Sequence, residues 1–260
     1  MSGDGGRGAR GTAESRFRAL HLGRAAGDPL VLPGPWDAVS ARAFEAAGFP
    51  ALATPSAGIA ASLGYEDGAT PAAEMFAAVG RVTRAVSVPV TADLEGGYGL
   101  PAAELVERVR ESGAVGVNLE DSDGSGGLKD HLEQADWLAE VRAAAGPGLF
   151  VNARVDVYIR RAPDPVGAAI ARARLYAEAG ADCVYPIAAP SADLPALRAA
   201  LGALPINTLA GPGGPSGPSF AALGRLGATR ITFGDGLLQR ARDDLSAFAT
   251  KLRLRGGGVL

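Results

Sequence analysis

The stretch "VTADLEGGYG", residues 90–99, sets Asp93 and Glu95 one residue apart, behind an apolar run and ahead of a glycine-rich turn. Two carboxylates so close repel each other unless a cation, hydrogen-bond donors or water hold them. A third acid, Glu120, ends the apolar run "VGVNLE", and "LFVNARVD" carries Arg154 and Asp156 two positions apart, on one face of a strand. Hard oxygen donors grouped this way suit Mg²⁺ or Mn²⁺, with water completing the shell. The competing reading is structural: acids paired with Arg154 or capping helices. The planar fork of Arg154 matches the two oxygens of a substrate carboxylate, and its competing role is an ion pair with Asp156 or Glu120. The small residues of "TPSAGIAASLG", Ser56, Ala57 and Gly58 among them, offer backbone N–H groups to an oxyanion, or form a plain loop.

Such residues need a scaffold, and the chain alternates short apolar runs with amphipathic stretches. "LVLPG" precedes "DAVSARAFEAAG", "VPVTAD" precedes "PAAELVERVRESG", and "RITFGD" precedes "LLQRARDDLSAFATKLRLRG". The longer stretches show helical i, i+3, i+4 spacing, and the short runs are apolar on both faces, as covered strands must be. Eight such units in about 230 residues predict one (β/α)₈ barrel domain over 15–260, with a doubly wound sheet as the alternative. Residues 1–14, rich in glycine and arginine, are expected to be a disordered tail.

Reactive groups of such a barrel gather at the carboxyl ends of the strands. Trp36 and Asp37, Ser56, Asp93 and Glu95, Glu120 and Asp121, Arg154 and Asp156, Tyr185, Asn207 and Asp235 fall there. Substrate contacts are expected from Trp36, Ser56, Ala57, Gly58, Arg154 and Asn207. His21 and His131 lie away from those ends, so a zinc site of imidazoles is not expected. The run "GPGGPSGPS" lacks the lysine and spacing of a phosphate loop, and its prolines remove N–H donors.

The 260 residues carry a net charge of −3, with 47% hydrophobic and 20% charged residues, a globular balance without electrostatic bias toward nucleic acid or anionic membrane. The single cysteine, Cys183, excludes an internal disulfide and a cysteine metal site, and reads as a core thiol. No apolar run reaches the roughly 18–20 residues that span a bilayer, and the opening residues lack a signal peptide's apolar core; the cytoplasm is the expected compartment.

"DLEGGYG", "GVNLED", "NARVD", "SLGYED" and "TPSAG" resemble segments of the isocitrate lyase and phosphoenolpyruvate mutase superfamily, and the resemblance runs from about Phe17 to the last helix. It implies a Mg²⁺ held chiefly by Asp93, with Glu95, Glu120 and Asp67 acting through water. It implies catalytic roles for Arg154, Glu120 and Ser56, 2-oxo or 2-hydroxy carboxylate substrates, and an enolate formed as a C–C or C–P bond breaks. It also implies a homo-oligomer, dimer or tetramer, with the last helix exchanged between subunits. Two departures stand out. Glu95 replaces the aspartate of the superfamily's acid pair. The gating stretch here is "EDSDGSGGLKDHLEQ", without the cysteine of the C–C lyases or the lysine- and asparagine-bearing loop of the phosphonopyruvate mutases. The expected reaction is decarboxylation or hydrolytic cleavage of an oxaloacetate-like acid. A C–C lyase of a substituted malate or citrate, phosphonopyruvate chemistry, and a non-catalytic carboxylate binder are the alternatives.

Overall fold

Short runs such as Val90–Asp93 and Phe150–Val155 have nearly every side chain buried, which only a strand covered on both faces can achieve. The computed structural model describes residues 5–211 and 217–256. Its strands are β1 (Leu30–Val31), β2 (Leu52–Thr54), β3 (Val90–Asp93), β4 (Gly116–Glu120), β5 (Phe150–Val155), β6 (Cys183–Pro186), β7 (Asn207–Leu209) and β8 (Arg230–Thr232). The helices are α1 (Gly5–Leu20), α2 (Ala38–Ala46), α3 (Ser56–Leu63), α4 (Ala72–Ala85), α5 (Ala102–Ser112), α6 (His131–Ala145), α7 (Pro165–Glu178), α8 (Leu194–Leu201), α9 (Phe220–Leu226) and α10 (Gly236–Gly256).

All strand pairs are parallel, in two ladders ordered β2-β3-β4-β5-β6 and β1-β8-β7. A single bridge, Val184 to Ile206, joins β6 to β7, and one bond, from Ala53 N to Pro33 O, links the chain after β1 to β2. The eight strands thus stand in barrel order as a five-stranded and a three-stranded arc meeting at two thin seams. The register aligns Asp93 with Asn118, and Glu120 with Arg154 and Tyr185, which sets the chemistry-bearing residues at one end.

Helix boundaries follow cap chemistry. Asp37 and Ser40 form a reciprocal capping box at the start of α2, and Asp130 accepts from Leu132 N and Glu133 N at the start of α6. Gly64 and Gly113 close α3 and α5 in the left-handed conformation.

Two elements differ from expectation. The segment after β2, read as a loop, is helix α3; its residues are apolar all round, so no amphipathic period announced it. The first segment has helical backbone from Gly5, where a tail was expected over 1–14; residues 1–4 lie outside the described residues. The physical reason lies in Phe17, which is fully buried and packs edge-on against Phe150 with centroids 5.2 Å apart. With Leu30, Val115 and Cys183 it forms a core at the amino ends of the strands, so α1 plugs the barrel floor. Beside it, Asp182 binds Arg18 and Arg142, whose remaining N–H groups reach the carbonyls of Pro147, Gly146, Leu149 and Gly180. No described helix is long and apolar enough to cross a membrane.

Candidate active site

The backbone after β3 is bent into an unusual path. Glu95 and Tyr98, neither of them glycine, adopt φ of 52° and 57°, flanked by Gly97 and Gly99 at 83° and 68°. Non-glycine residues there cost of order 1 kcal/mol or more each, and such strain concentrates at functional loops. Gly97 has a second reason: a Cβ would sit 2.7 Å from the Trp137 ring. The loop turns Asp93 and Glu95 toward the barrel axis. Asp93 accepts from Ser56 Oγ at 3.3 Å and from the Glu95 backbone N at 3.3 Å, and Tyr98 donates to Glu95 at 3.3 Å.

Arg154 stands at the centre. Its Nε and one terminal nitrogen reach both oxygens of Asp156, at 2.8 and 3.0 Å, and the other terminal nitrogen lies 2.6 Å from Glu120 and 3.8 Å from Asp93. Burial works against the guanidinium charge, but Asp93, Asp156 and Glu120 outweigh it and hold its pKa above the ordinary value. One cation does not balance the acids around it. Burial, with the charges of Asp156, Asp93 and Glu95, pushes Glu120 up to about 8 despite Arg154. Burial, with Asp93 and Asp67, pushes Glu95 up to about 7, and burial raises Asp93 as well. The neighbouring acid Asp121 takes no part; it accepts from Asp156 N, Tyr176 and Arg172 at 2.8, 2.8 and 2.9 Å and braces β5 against α7.

Among the described residues no three metal-ligating side chains converge into a ready cage. The cause is local: Glu120 is drawn onto Arg154, Asp93 lines the inner cavity, Glu95 lies at the mouth, and Asp67 borders both. That donor set fits a hard cation held by one carboxylate and completed by water, the habit of Mg²⁺. The surplus of buried negative charge is the second observation in its favour.

Ser56, Ala57, Asp67, Asp93 and Arg154 line one cavity of about 270 Å³. An outer cavity at the mouth shares Ser56, Asp67 and Arg154 and adds Glu95, Glu120 and Lys129. Three expected substrate contacts are not among the lining residues. Trp36 packs edge-on against Phe44, Gly58 lies against Pro55, and Asn207 exchanges hydrogen bonds with Thr232. His21 sits in the floor, stacked on Phe150 at 4.1 Å, and His131 opens α6.

Sequence reasoning passed over Asn118 and Arg230. Arg230 is fully buried inside the barrel; one of its terminal nitrogens donates to Asn118 Oδ1 at 3.2 Å, and Asn152 Nδ2 donates to the same oxygen at 2.8 Å. Both bonds enter Oδ1, so the Asn118 amide presents Nδ2 to the cavity it lines. The signal was a polar residue inside an otherwise apolar strand, in "VGVNLE" and "RITFGD".

The gating stretch is a compact hairpin. Ser122 pairs with Leu128 in an antiparallel bridge, and one oxygen of Asp123 accepts from Ser125 N, Ser125 Oγ and Gly127 N, each at 2.8 Å. At its base Ser122 donates to Asp156 at 2.5 Å and accepts from Arg160 at 3.0 Å.

Comparison with known proteins shows the family of the chain. The family model Phosphoenolpyruvate phosphomutase matches residues 17–253. A putative phosphonomutase from Burkholderia cenocepacia J2315 superimposes with a TM-score of 0.82 at 38% identity, over 92% of this chain and 99% of that one. An uncharacterised protein of Mycobacterium tuberculosis, Rv1998c, is 34% identical over 80% of this chain and 78% of its own. The 2-methylisocitrate lyase of Bacillus subtilis is 33% identical over 66% of this chain, which spans 58% of that enzyme. The chain belongs to the phosphoenolpyruvate mutase and isocitrate lyase superfamily.

Proposed function

We propose that this chain is a Mg²⁺-dependent enzyme that converts a 2-oxo or 2-hydroxy carboxylic acid into an enolate while the bond at the adjacent carbon breaks. The observation that carries the reading is the excess of buried acids around Arg154, with Glu120 and Glu95 raised into the neutral range. Membership in a superfamily of lyases and mutases supports it. Asp93 would hold the cation directly, with Glu95, Glu120 and Asp67 acting through water. Bound there, Mg²⁺ supplies Lewis acidity that stabilises an enolate oxygen.

The protein's own groups do the rest. Arg154 commits three of its five N–H donors to Asp156 and Glu120, which leaves two for the substrate carboxylate. Because those acids fix the guanidinium plane, the substrate meets a preorganised fork. Ser56 and the N–H groups at the start of α3 face the same cavity and suit the other end of the head group. Tyr185 also lines the cavity; burial pushes its hydroxyl up to about 12, so it stays protonated and is the donor proposed to act in place of a lid cysteine.

The test is turnover in Mg²⁺. Pyruvate released from oxaloacetate, and lost in Asp93→Ala, supports the decarboxylating or hydrolytic route. A second organic acid released from a substituted malate supports the lyase route, and phosphate from phosphonopyruvate supports C–P cleavage. Oxalate bound with no turnover of any of these would reduce the chain to a carboxylate binder.

We further propose that the chain works as a homo-oligomer, in the cytoplasm. On α10, Leu245, Phe248 and Leu252 are 66, 57 and 52% exposed and share one helix face, an apolar stripe that suits a second copy. Light scattering on Phe248→Glu beside the wild type tests this; a wild type with the mass of one chain would overturn it, and an oligomer unchanged in the variant would remove this face from the interface.

A further inference from the structure

The cavity beside Arg154 is chemically two-sided. One side carries the head-group machinery: Ser56, Asp93 and Arg154. The other is walled by Ile159, Ile187, Leu209 and Phe233. Leu209 and Ile159 are 37% and 41% exposed, while Phe233 is 7% exposed and braced edge-on by Phe220 at 5.7 Å.

Charge on this side is one-signed. Among the described residues lining this cavity Arg154 is the only base, and it already serves Asp156 and Glu120. Asp67 and Asp235 line the same space. Lys129 and Arg160 border the outer cavity instead, and Arg230 lies beneath Asn118. A second carboxylate pointing at Leu209 and Phe233 would lose water, meet no cation on that wall and lie beside the acid Asp235. Removing an ion from water without a partner is among the costliest events in a protein interior. An alkyl group there gains from leaving water instead.

From this we infer that the substrate carries a short, uncharged alkyl substituent on the side held by Ile159, Ile187, Leu209 and Phe233, and that these residues set specificity against a carboxylate on that side. The inference rests on the proposed function, and it selects within that reading against oxaloacetate itself. Specificity in such a wall comes from both parts: contact with the alkyl group and rejection of the anion.

The experiment uses the full chain in saturating Mg²⁺. Oxalate binding is measured first by calorimetry, because oxalate has a head group and no substituent. Displacement of oxalate is then compared for 4-methyl-2-oxopentanoate and oxaloacetate, which share a head and a branch point but end in isopropyl or carboxylate. We expect the alkyl acid to bind at least ~10-fold tighter. Leu209→Arg, at a half-exposed position that tolerates the change, should reverse the order of the other two. A wild type that prefers oxaloacetate, or a Leu209→Arg variant that keeps the wild-type order, overturns the inference and leaves the parent reading standing. Absence of Mg²⁺-dependent oxalate binding to the wild type overturns both.

Discussion

The two ends of the barrel solve the same problem in opposite ways. At the floor one acid, Asp182, lies between two arginines, Arg18 and Arg142, and the spare N–H groups end on backbone carbonyls. At the mouth one arginine, Arg154, lies among Asp93, Glu120 and Asp156, and the spare charge is negative. A surplus of guanidinium donors is satisfied by the chain itself, since carbonyls are everywhere. A surplus of carboxylates has no such internal remedy and calls for an added cation or for protons. The first cluster is therefore complete as folded, and the second is complete only with an added cation or bound protons.

Substitution of Arg154 should separate the ends most sharply. Arg154→Met is expected to lower turnover on the order of 10³-fold, the scale of losing a preorganised charge partner. A milder loss, near tenfold in a steady-state assay, would mean that the mouth is as structural as the floor. Next in size is Asp182→Ala, which strands two partly buried guanidinium groups. Urea unfolding should show a loss of about 3 kcal/mol, with turnover per folded molecule unchanged. Lost turnover at full stability would erase the distinction.

The floor also carries a pH signature. Burial, aided by Arg230, pushes His21 down to about 3, so the folded chain leaves it neutral where the unfolded chain protonates it. Stability from this group is complete above the unfolded value near 6.5 and is lost as pH falls from there toward 3, by at most about 1.4 kcal/mol per unit. His21→Phe should flatten that slope between pH 6 and 4 in thermal or urea unfolding, without moving the pH profile of turnover. The smallest effect is expected of Glu95→Asp at the mouth. Shortening an acid that acts through water should change the Mg²⁺ requirement within about tenfold, as read by metal titration of activity.

Much of this was legible in the residues. Runs apolar on both faces, each followed by an amphipathic stretch, are what a parallel barrel requires, and acids at the ends of β3 and β4 could only meet at the mouth. What stayed hidden had physical causes. Helix α3 is apolar on every side, so it offered no period. Trp36 and Asn207 sit at strand ends but turn to Phe44 and Thr232, and the choice of neighbour is tertiary. Asn118 and Arg230 meet only because β4 and β8 face each other across the barrel interior, a proximity across 112 residues that no local pattern encodes. The pairing of Glu120 with Arg154 was foreseen as one of two roles, and the register of β4 on β5 makes it compatible with the other.

Two seams divide the barrel. The five-stranded arc bears Asp93, Glu120 and Arg154, while the three-stranded arc bears Leu209 and leads into Phe233. The apolar wall spans both arcs, with Ile159 and Ile187 after β5 and β6 and with Leu209 and Phe233 on the smaller arc, and the arcs are stitched by one backbone bridge on one flank and one backbone hydrogen bond on the other. Such a joint lets Leu209 and Phe233 be exchanged while the half that bears Asp93, Glu120 and Arg154 keeps its register.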